Sequence, residues 1–462
     1  MKGTLKACLG LLLALPAWAG LQQSDLDTAK ALRDQALAGN IAYDTVESLT
    51  VEVGPRLAGS EGDRKAVAWA VDKLQRLGFD RVYTEELAIP TWRRGHIHAE
   101  ISAPYRQHLV ITALGGSVGT GEKGLAGDIA FFETLDELKA ADPKAVEGKI
   151  VFINKRMERA QTGFQYGKTV AGRSKGAIEA AKKGAQAILI RSVGTGPHRF
   201  AHTGTMKYEE GVPRIPAAAV AVPDANLVEA MHRRGKTVSV HLEMTAEPGP
   251  QGKTHNVIAE LTGSEKPEEV VLIGAHLDSW DNGPGALDDG AGVGIMVAAG
   301  KLIEQLPQRP KRTIRVVLYG AEEIGLYGGH AYAERHREEL AKHVLAGESD
   351  FGAGAIYRLD TNFGPEGRAL AKALFEVLEP MGVAAGNNEA GGGPDVSMLP
   401  ELGVPVVSPR QDGTYYFDYH HTPDDTLNKI VPEELNQNVA TWTVIAYLAA
   451  QYDGSLRPVK VK

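Results

Sequence analysis

The sequence predicts an α/β protein: a central, mixed and mostly parallel sheet sandwiched by helices, with a β-rich module inserted into it. Three observations carry this. Beyond Gly252, short apolar runs of strand length alternate with longer segments of helical period. Between about Leu109 and Glu243 the texture changes to short β-rich runs separated by glycine turns. Acid and imidazole side chains gather just past the ends of the apolar runs, where open α/β sheets carry their chemistry.

A chain of 462 residues suits two or three domains, and 43% apolar residues provide a large core. The net charge of −8 argues against nucleic acid as the main partner. Residues 1–19 read as a secretory signal: Lys2 and Lys6 give a positive start, Ala7 to Pro16 is mostly apolar, and Ala17-Trp18-Ala19 is a small-x-small cleavage site. That run is too short to span a bilayer, and no later segment approaches ~18 uninterrupted apolar residues. The expectation is an exported protein, periplasmic or secreted, with no membrane span after processing. The single cysteine, Cys8, lies in the signal, so the mature chain is expected to have no disulfide, no cysteine ligand and no cysteine nucleophile.

Taken in order, Ser24 to Ala38 reads as a helix capped by Ser24, with Leu26, Ala29, Leu32 and Ala36 on one face. Glu61 to Leu77 is a second helix, capped by Ser60 and stopped by Gly78. In the middle block, Gly148 to Ile153 and Ala187 to Ile190 are strands, Ser174 to Lys183 is a helix, and Ile215 to Val222 and Val238 to Leu242 are further β. Val257 to Leu261, Val270 to Ile273 and Ile314 to Leu318 are buried strands. Gly292 to Leu306, Gly367 to Leu378 and Pro432 to Tyr452 are helices, and Val404 to Ser408 is a short strand. The division this suggests is a signal at 1–19, a first catalytic part at 20–108, an insert at 109–250 and the main catalytic part at 251–462. The insert holds few clustered ligand-type residues and reads as a separate module. Gly115-Gly116-Ser117-Val118-Gly119 lacks the spacing and the lysine of a phosphate loop.

The ligand-type residues at strand ends or in polar loops are His276, Asp278, Asp288, Asp289, Glu322, Glu323, Asp350, His420, His421 and Asp425. Isolated buried carboxylates are costly, so a cluster this dense points to metal and acid–base chemistry. Spacing alone leaves two choices open, Asp350 against Asp360 and His420 against His421. The adjacent Glu322 and Glu323 cannot do the same work on an extended segment, where neighbours point to opposite sides unless a turn intervenes.

The motifs Gly274-Ala275-His276-Leu277-Asp278, Leu287-Asp288-Asp289-Gly290, Ala321-Glu322-Glu323, Glu348-Ser349-Asp350 and His421-Thr422-Pro423-Asp424-Asp425-Thr426 together resemble the co-catalytic zinc exopeptidases. That superfamily includes bacterial leucyl aminopeptidases and glutamate carboxypeptidases. Agreement is closest with the plasma glutamate carboxypeptidase (carboxypeptidase Q) branch and extends to Gly176 to Ala181, Ile190 to Val193, His202-Thr203-Gly204 and Gly211 to Pro216. The resemblance implies a zinc exopeptidase fold and two zinc ions, with Mn²⁺ or Co²⁺ as acceptable substitutes. It implies that Asp288 bridges the metals, that His276 and Asp350 complete one site, and that Glu323 and His421 complete the other. Glu322 becomes the general base. Asp278, Asp289 and Asp425 support the ligands from behind, Asp278 by orienting His276. Two zinc ions carry more positive charge than three carboxylates cancel, and the remainder favours a bridging hydroxide. The resemblance also implies a cis peptide between Asp288 and Asp289. The middle block resembles a protease-associated domain. Asp395, Tyr415, Tyr416 and His420 are candidate substrate contacts, Asp395 for an amine and a tyrosine for the oxyanion. The expected activity is hydrolysis of dipeptides or short peptides with free termini by a homodimer, as a dipeptidase or carboxypeptidase. An aminopeptidase is the near alternative, and a non-catalytic binding protein or a one-zinc acyltransferase the distant ones.

Overall fold

A computed structural model describes residues 20–458. The expected signal segment with Cys8 lies outside the described residues. Two eight-stranded sheets organise the chain. The first runs in the spatial order Arg81–Arg93, Glu247–Leu261, Arg312–Tyr319, Lys266–His276, His343–Glu348, Val406–Gln411, Ile356–Asn362 and Ala384–Ala385. Its four central strands, from Arg312–Tyr319 to Val406–Gln411, are parallel. Glu247–Leu261 and Ile356–Asn362 flank them antiparallel, so the sheet is mixed.

Alternation along the strands explains the layers. Val271, Ile273 and Ala275 face one side with Ile314, Val316 and Leu318, and pack on the helices Gln23–Leu37, Ile41–Ser48, Ala291–Glu304, Arg368–Leu378 and Pro432–Gln451. Val270, Leu272 and Val317 face the other side and meet the helix Tyr327–Arg335 and the segment around Val396 and Leu399. Both faces are covered, which is why these strands read as continuous apolar runs. Ala291–Glu304 is apolar all round from Ala291 to Gly300 because that length is buried between the sheet and other helices.

The second sheet runs Gln107–Leu109, Ile97–Ala103, Ser239–Met244, Leu125–Phe132, Ile150–Ile153, Ala187–Arg191, Ala217–Val220 and Ile111–Ala113. It takes in Ile97–Ala103 from the segment before Leu109. The chain leaves the first sheet on Arg81–Arg93 and returns on Glu247–Leu261, and these two long strands pair with each other antiparallel.

Several local expectations need correction. The first helix is Gln23–Leu37, one residue earlier than read, and Ser24 is not its cap. Asp25 closes that end by accepting from the Gln22 N–H at 2.8 Å. Ser60 caps Glu61–Arg76 as expected, accepting from the Asp63 N–H at 3.1 Å. The middle helix is Ala171–Ala181, and the β run read to Val222 stops at Val220. Val222 instead opens a helix to Arg233, because Pro223 sets the first helical turn at no hydrogen-bond cost. The helices Ile41–Ser48 and Tyr327–Arg335 carry too little periodicity to be read in advance.

Candidate metal centre

Each candidate ligand sits at the carboxyl end of a central parallel strand or in the loop that follows it. His276 is the last residue of its strand, and Asp350 lies two residues past the strand that ends at Glu348. Asp288 lies in the tight segment Ala286–Gly290 that opens the buried helix Ala291–Glu304. The Asp288–Asp289 peptide is cis, as the resemblance implied. Glu322 and Glu323 follow Ala321, whose φ of 63° turns the chain sharply after the strand Arg312–Tyr319. That turn is what allows the two neighbouring glutamates to face one site. His421 also has a positive φ, 61°.

Asp288 stands between two groups. His276 Nε2 lies 3.2 Å from Asp288 Oδ1 and 3.5 Å from Asp350 Oδ1. His421 Nε2 lies 3.2 Å from Asp288 Oδ2 and 3.0 Å from Glu323 Oε2. His420 is more distant, 3.5 Å from Asp288 Oδ2, and its ring stacks on His421 with centroids 3.5 Å apart. Asp360 is not in the centre. It pairs with Arg358 and Arg410 at 2.9 and 2.7 Å. Burial would raise its pKa, but the hydrogen bonds from Arg410 and Arg358 outweigh that and lower it.

A second layer holds these groups in place. His276 Nδ1 donates to the Asp278 carbonyl at 3.0 Å. The Asp278 carboxylate accepts from the Glu322 and Glu323 N–H groups at 3.0 and 3.4 Å, so it fixes the glutamate turn as well as facing His276. Asp289 accepts from the backbone N–H of His276 at 3.1 Å and of Gly292 at 3.0 Å. Asp425 accepts from the Leu287 and Asp288 N–H groups at 2.6 and 3.1 Å. Behind them Arg56, wholly buried, donates to the carbonyls of Leu277, Pro284 and Gly285 and so ties the His276 loop to the Asp288 loop.

The donor set fits cations. Both imidazoles spend Nδ1 on a backbone carbonyl, Asp278 for His276 and Thr203 for His421, the latter at 3.2 Å. Each Nε2 then faces two carboxylate oxygens, which is repulsive unless a proton or a metal ion lies between. Asp288 Oδ2 and Glu323 Oε1 are buried and accept no hydrogen bond. Two three-residue groups have converging ligand atoms: His276, Asp288 and Asp350, and Asp288, His420 and His421. The electrostatics agree. Burial pulls the His276 and His421 pKa values down, but Asp350 and Asp278 beside the first and Glu323 and Asp288 beside the second raise both well above the usual histidine range. Burial lifts Glu322 well above the carboxylate range, with Asp350 and Glu323 adding repulsion, and lifts Glu323 to about 7 against the pull of His421.

The centre opens into a cavity of about 350 Å³ whose wall includes Glu322, Leu326, Phe351, Pro394, Tyr416 and His420. Tyr166, Arg173 and Thr205 complete it from the second-sheet unit, which the sequence had set apart from the chemistry. Arg173, 6% exposed, gives Nη2 to the Tyr166 hydroxyl at 2.7 Å, while its Nε has no partner and no carboxylate pairs with it among the described residues. Tyr416 lines both this cavity and a neighbouring one of about 500 Å³, where Tyr415 stands 66% exposed under the Arg159 guanidinium. Asp395 is not brought to the wall. It is 1% exposed and accepts from the Gly329 N–H at 2.9 Å, a contact open only because Gly329 has no Cβ. Its neighbour Pro394 takes the place at the cavity. Arg56, Arg173 and Tyr166 were missed by the sequence reading. No local pattern flags them: Pro55-Arg56-Leu57-Ala58 does not announce that Arg56 is buried, and Arg173 and Tyr166 reach the site only through the fold.

Acid–imidazole groups meeting on a shared aspartate, at the carboxyl ends of parallel strands in a mixed α/β sheet, define a metal-dependent hydrolase. The chain belongs to Peptidase family M28, whose profile matches residues 256–446. It is 39% identical to carboxypeptidase Q of Mus musculus over 93% of this chain and 90% of that protein. The crystal structure of a Peptidase M28 precursor from Shewanella amazonensis is 56% identical, with a TM-score of 0.93 over 95% of this chain and 99% of that one. A zinc aminopeptidase from Bacillus subtilis shares the fold, with 20% identity and a TM-score of 0.65 over 92% of this chain and 96% of that one.

Proposed function

We propose that this metallopeptidase is an exported two-zinc exopeptidase that hydrolyses dipeptides or short peptides with a free carboxyl terminus, as a dipeptidase or carboxypeptidase. The observation that carries the reading is Arg173. A guanidinium buried in the wall of the cavity without a counter-ion is costly, and a substrate carboxylate would supply the missing charge in bidentate geometry. The likeness to carboxypeptidase Q supports the same reading.

His276, Asp288 and Asp350 would hold one ion, and Asp288, Glu323 and His421 the other. Bound there, two zinc ions would polarise the scissile carbonyl and make a water acidic enough to act as nucleophile near neutral pH. Glu322, on the cavity wall beside the candidate ligands, would accept the proton lost by that water and deliver it to the leaving amine. Asp278 would keep Glu322 and Glu323 in register by holding their N–H groups. Tyr416 and Phe351 would exclude water beside the reacting bond. The second-sheet unit, read as a protease-associated insert, would close the cavity with Tyr166 and Arg173. Export through residues 1–19 and a homodimeric assembly belong to the same proposal, and Mn²⁺ or Co²⁺ would substitute for zinc.

The test is a panel of dipeptides on the zinc-loaded protein, some N-acetylated and some C-amidated, with products identified by mass spectrometry. Cleavage that demands a free carboxylate is expected, with Arg173→Met losing that demand. Cleavage of amidated but not acetylated peptides would make the protein an aminopeptidase, the activity of its structural neighbour. No cleavage across the panel would leave a binding protein on this fold.

A further inference from the structure

We infer that the second-sheet unit positions a metal ligand of the first: the segment His202–Thr203 clamps the His420–His421 turn, with the His202 side chain as the positioning group. The inference rests on the two-metal reading above.

His421 is held from outside its own sheet. Its carbonyl accepts from the Thr203 N–H at 3.0 Å and from Asn282 Nδ2 at 3.0 Å. Its Nδ1 meets the Thr203 carbonyl at 3.2 Å. Thr203 therefore holds His421 twice, its N–H on the His421 carbonyl and its own carbonyl on the ring Nδ1, and the second bond selects the tautomer, leaving Nε2 to face Glu323 and Asp288. One residue back, the His420 carbonyl accepts from His202 Nδ1 at 2.7 Å. His202 is 3% exposed, and its ring lies where a Cβ on Gly194 would come within 2.2 Å of it, so the imidazole is seated against bare backbone.

The clamp is anchored in its own unit. The His202 N–H donates to Ser192 Oγ at 2.9 Å, and Thr203 Oγ1 donates to the Ala113 carbonyl at 2.8 Å. The preceding stretch grips the helix Tyr416–Tyr419 that leads into the turn: Thr195 N–H donates to the Phe417 carbonyl at 3.0 Å, and Thr195 Oγ1 to Asp418 at 2.7 Å. The held turn is one that resists its conformation. A non-glycine residue at the φ of His421, 61°, is strained, and it persists where surrounding contacts over-determine it. Thr203 touches His421 only through its backbone, so His202 is the side chain whose loss separates this role from general packing.

The experiment measures metal in the full-length protein. Zinc and, separately, Co²⁺ are loaded, the metal content per chain is counted, release to a chromophoric chelator is followed, and the visible spectrum of the cobalt form is recorded. Wild type is expected to hold two ions per chain. His202→Ala is expected to weaken one of them roughly 10–100-fold, leave the other unchanged and alter the cobalt bands of the weakened site. His202→Asn, whose amide can still donate to the His420 carbonyl, is expected to restore most of that affinity. His421→Ala should remove the same ion. Should His202→Ala fail to fold, judged by circular dichroism, Ser192→Ala loosens the same histidine with little loss of volume and should give a smaller effect in the same direction. A folded His202→Ala that keeps both ions at wild-type affinity with an unchanged cobalt spectrum overturns the clamp. Wild type that binds fewer than two ions, or a His421→Ala that loses none, overturns the two-metal reading and the clamp with it.

Discussion

Glu322 and Glu323 share a turn and part company in their surroundings. Glu323 is buried against His421, while Glu322 keeps a partly open face on the cavity. If the first binds metal and the second moves protons, Glu322→Gln should lower kcat by about 10²–10⁴-fold with the metal content unchanged. Near-normal turnover in that variant would remove the base from Glu322. The candidate ligands were legible because carboxylate and imidazole at strand ends are unusual, and spacing alone went no further than the choices of Asp350 against Asp360 and His420 against His421. Geometry bears on both. Two guanidiniums already neutralise Asp360, and Glu323 lies beside His421. Arg56 was not legible, since nothing in Gly54-Pro55-Arg56 says that three distant carbonyls will converge on it.

At the scale of elements, the strands were easier to read than the helices. Val270 to Ile273 and Ile314 to Leu318 are apolar on both faces because helices cover both, whereas short amphipathic pieces such as Ile41–Ser48 carry too few turns to show a period. The strand His343–Glu348 opens on a histidine that is completely buried. His343 Nδ1 donates to the Glu339 carbonyl at 3.1 Å, and its Nε2 accepts from the Tyr332 hydroxyl at 2.7 Å, which itself accepts from Arg315. Burial drives the imidazole pKa from 6.5 to about 4, with the Glu339 carbonyl opposing and Arg315 reinforcing. The folded state therefore keeps His343 neutral while the unfolded chain protonates it first. Stability should fall as pH drops from about 6.5 and level off below about 4, with this residue contributing about 3 kcal/mol of the loss. His343→Gln should flatten that part of the profile, measured by urea unfolding at a series of pH values. Identical slopes in both proteins would assign the acid loss to other groups.

Across the whole molecule, the centre sits where repelling carboxylates from several strands and loops meet, and the fold must hold them together. Metal bound to the folded chain alone should stabilise it by about 3 kcal/mol per site at a hundredfold excess over Kd. Exhaustive chelation should therefore lower the calorimetric midpoint, and added zinc should restore it. A midpoint indifferent to chelator would mean that the carboxylates are balanced by protons instead. The two-sheet division could be read from the change in texture along the chain, but the contacts joining the units could not. Arg173 to the cavity and Thr203 to His421 are pairings across great sequence separation, and no local pattern encodes them.

The paired strands Arg81–Arg93 and Glu247–Leu261 have a mechanical consequence. Entry to and exit from the second sheet run side by side as a hydrogen-bonded ribbon with register contacts from Arg81–Glu260 to Arg93–Glu247. A single linker would let the upper unit swing like a door. A ribbon resists, because rotation must either twist both strands together or unzip them from the far end. Torque applied to the second-sheet unit is transmitted instead of absorbed, and it bears on the contacts between the units, among them Arg94 with Asp281, Arg159 with Asp418 and Thr203 with His421. Access to the cavity then depends on side chains in its wall such as Leu326 and Phe351, and a force separating the two units would load the turn that carries His421 along with their other contacts.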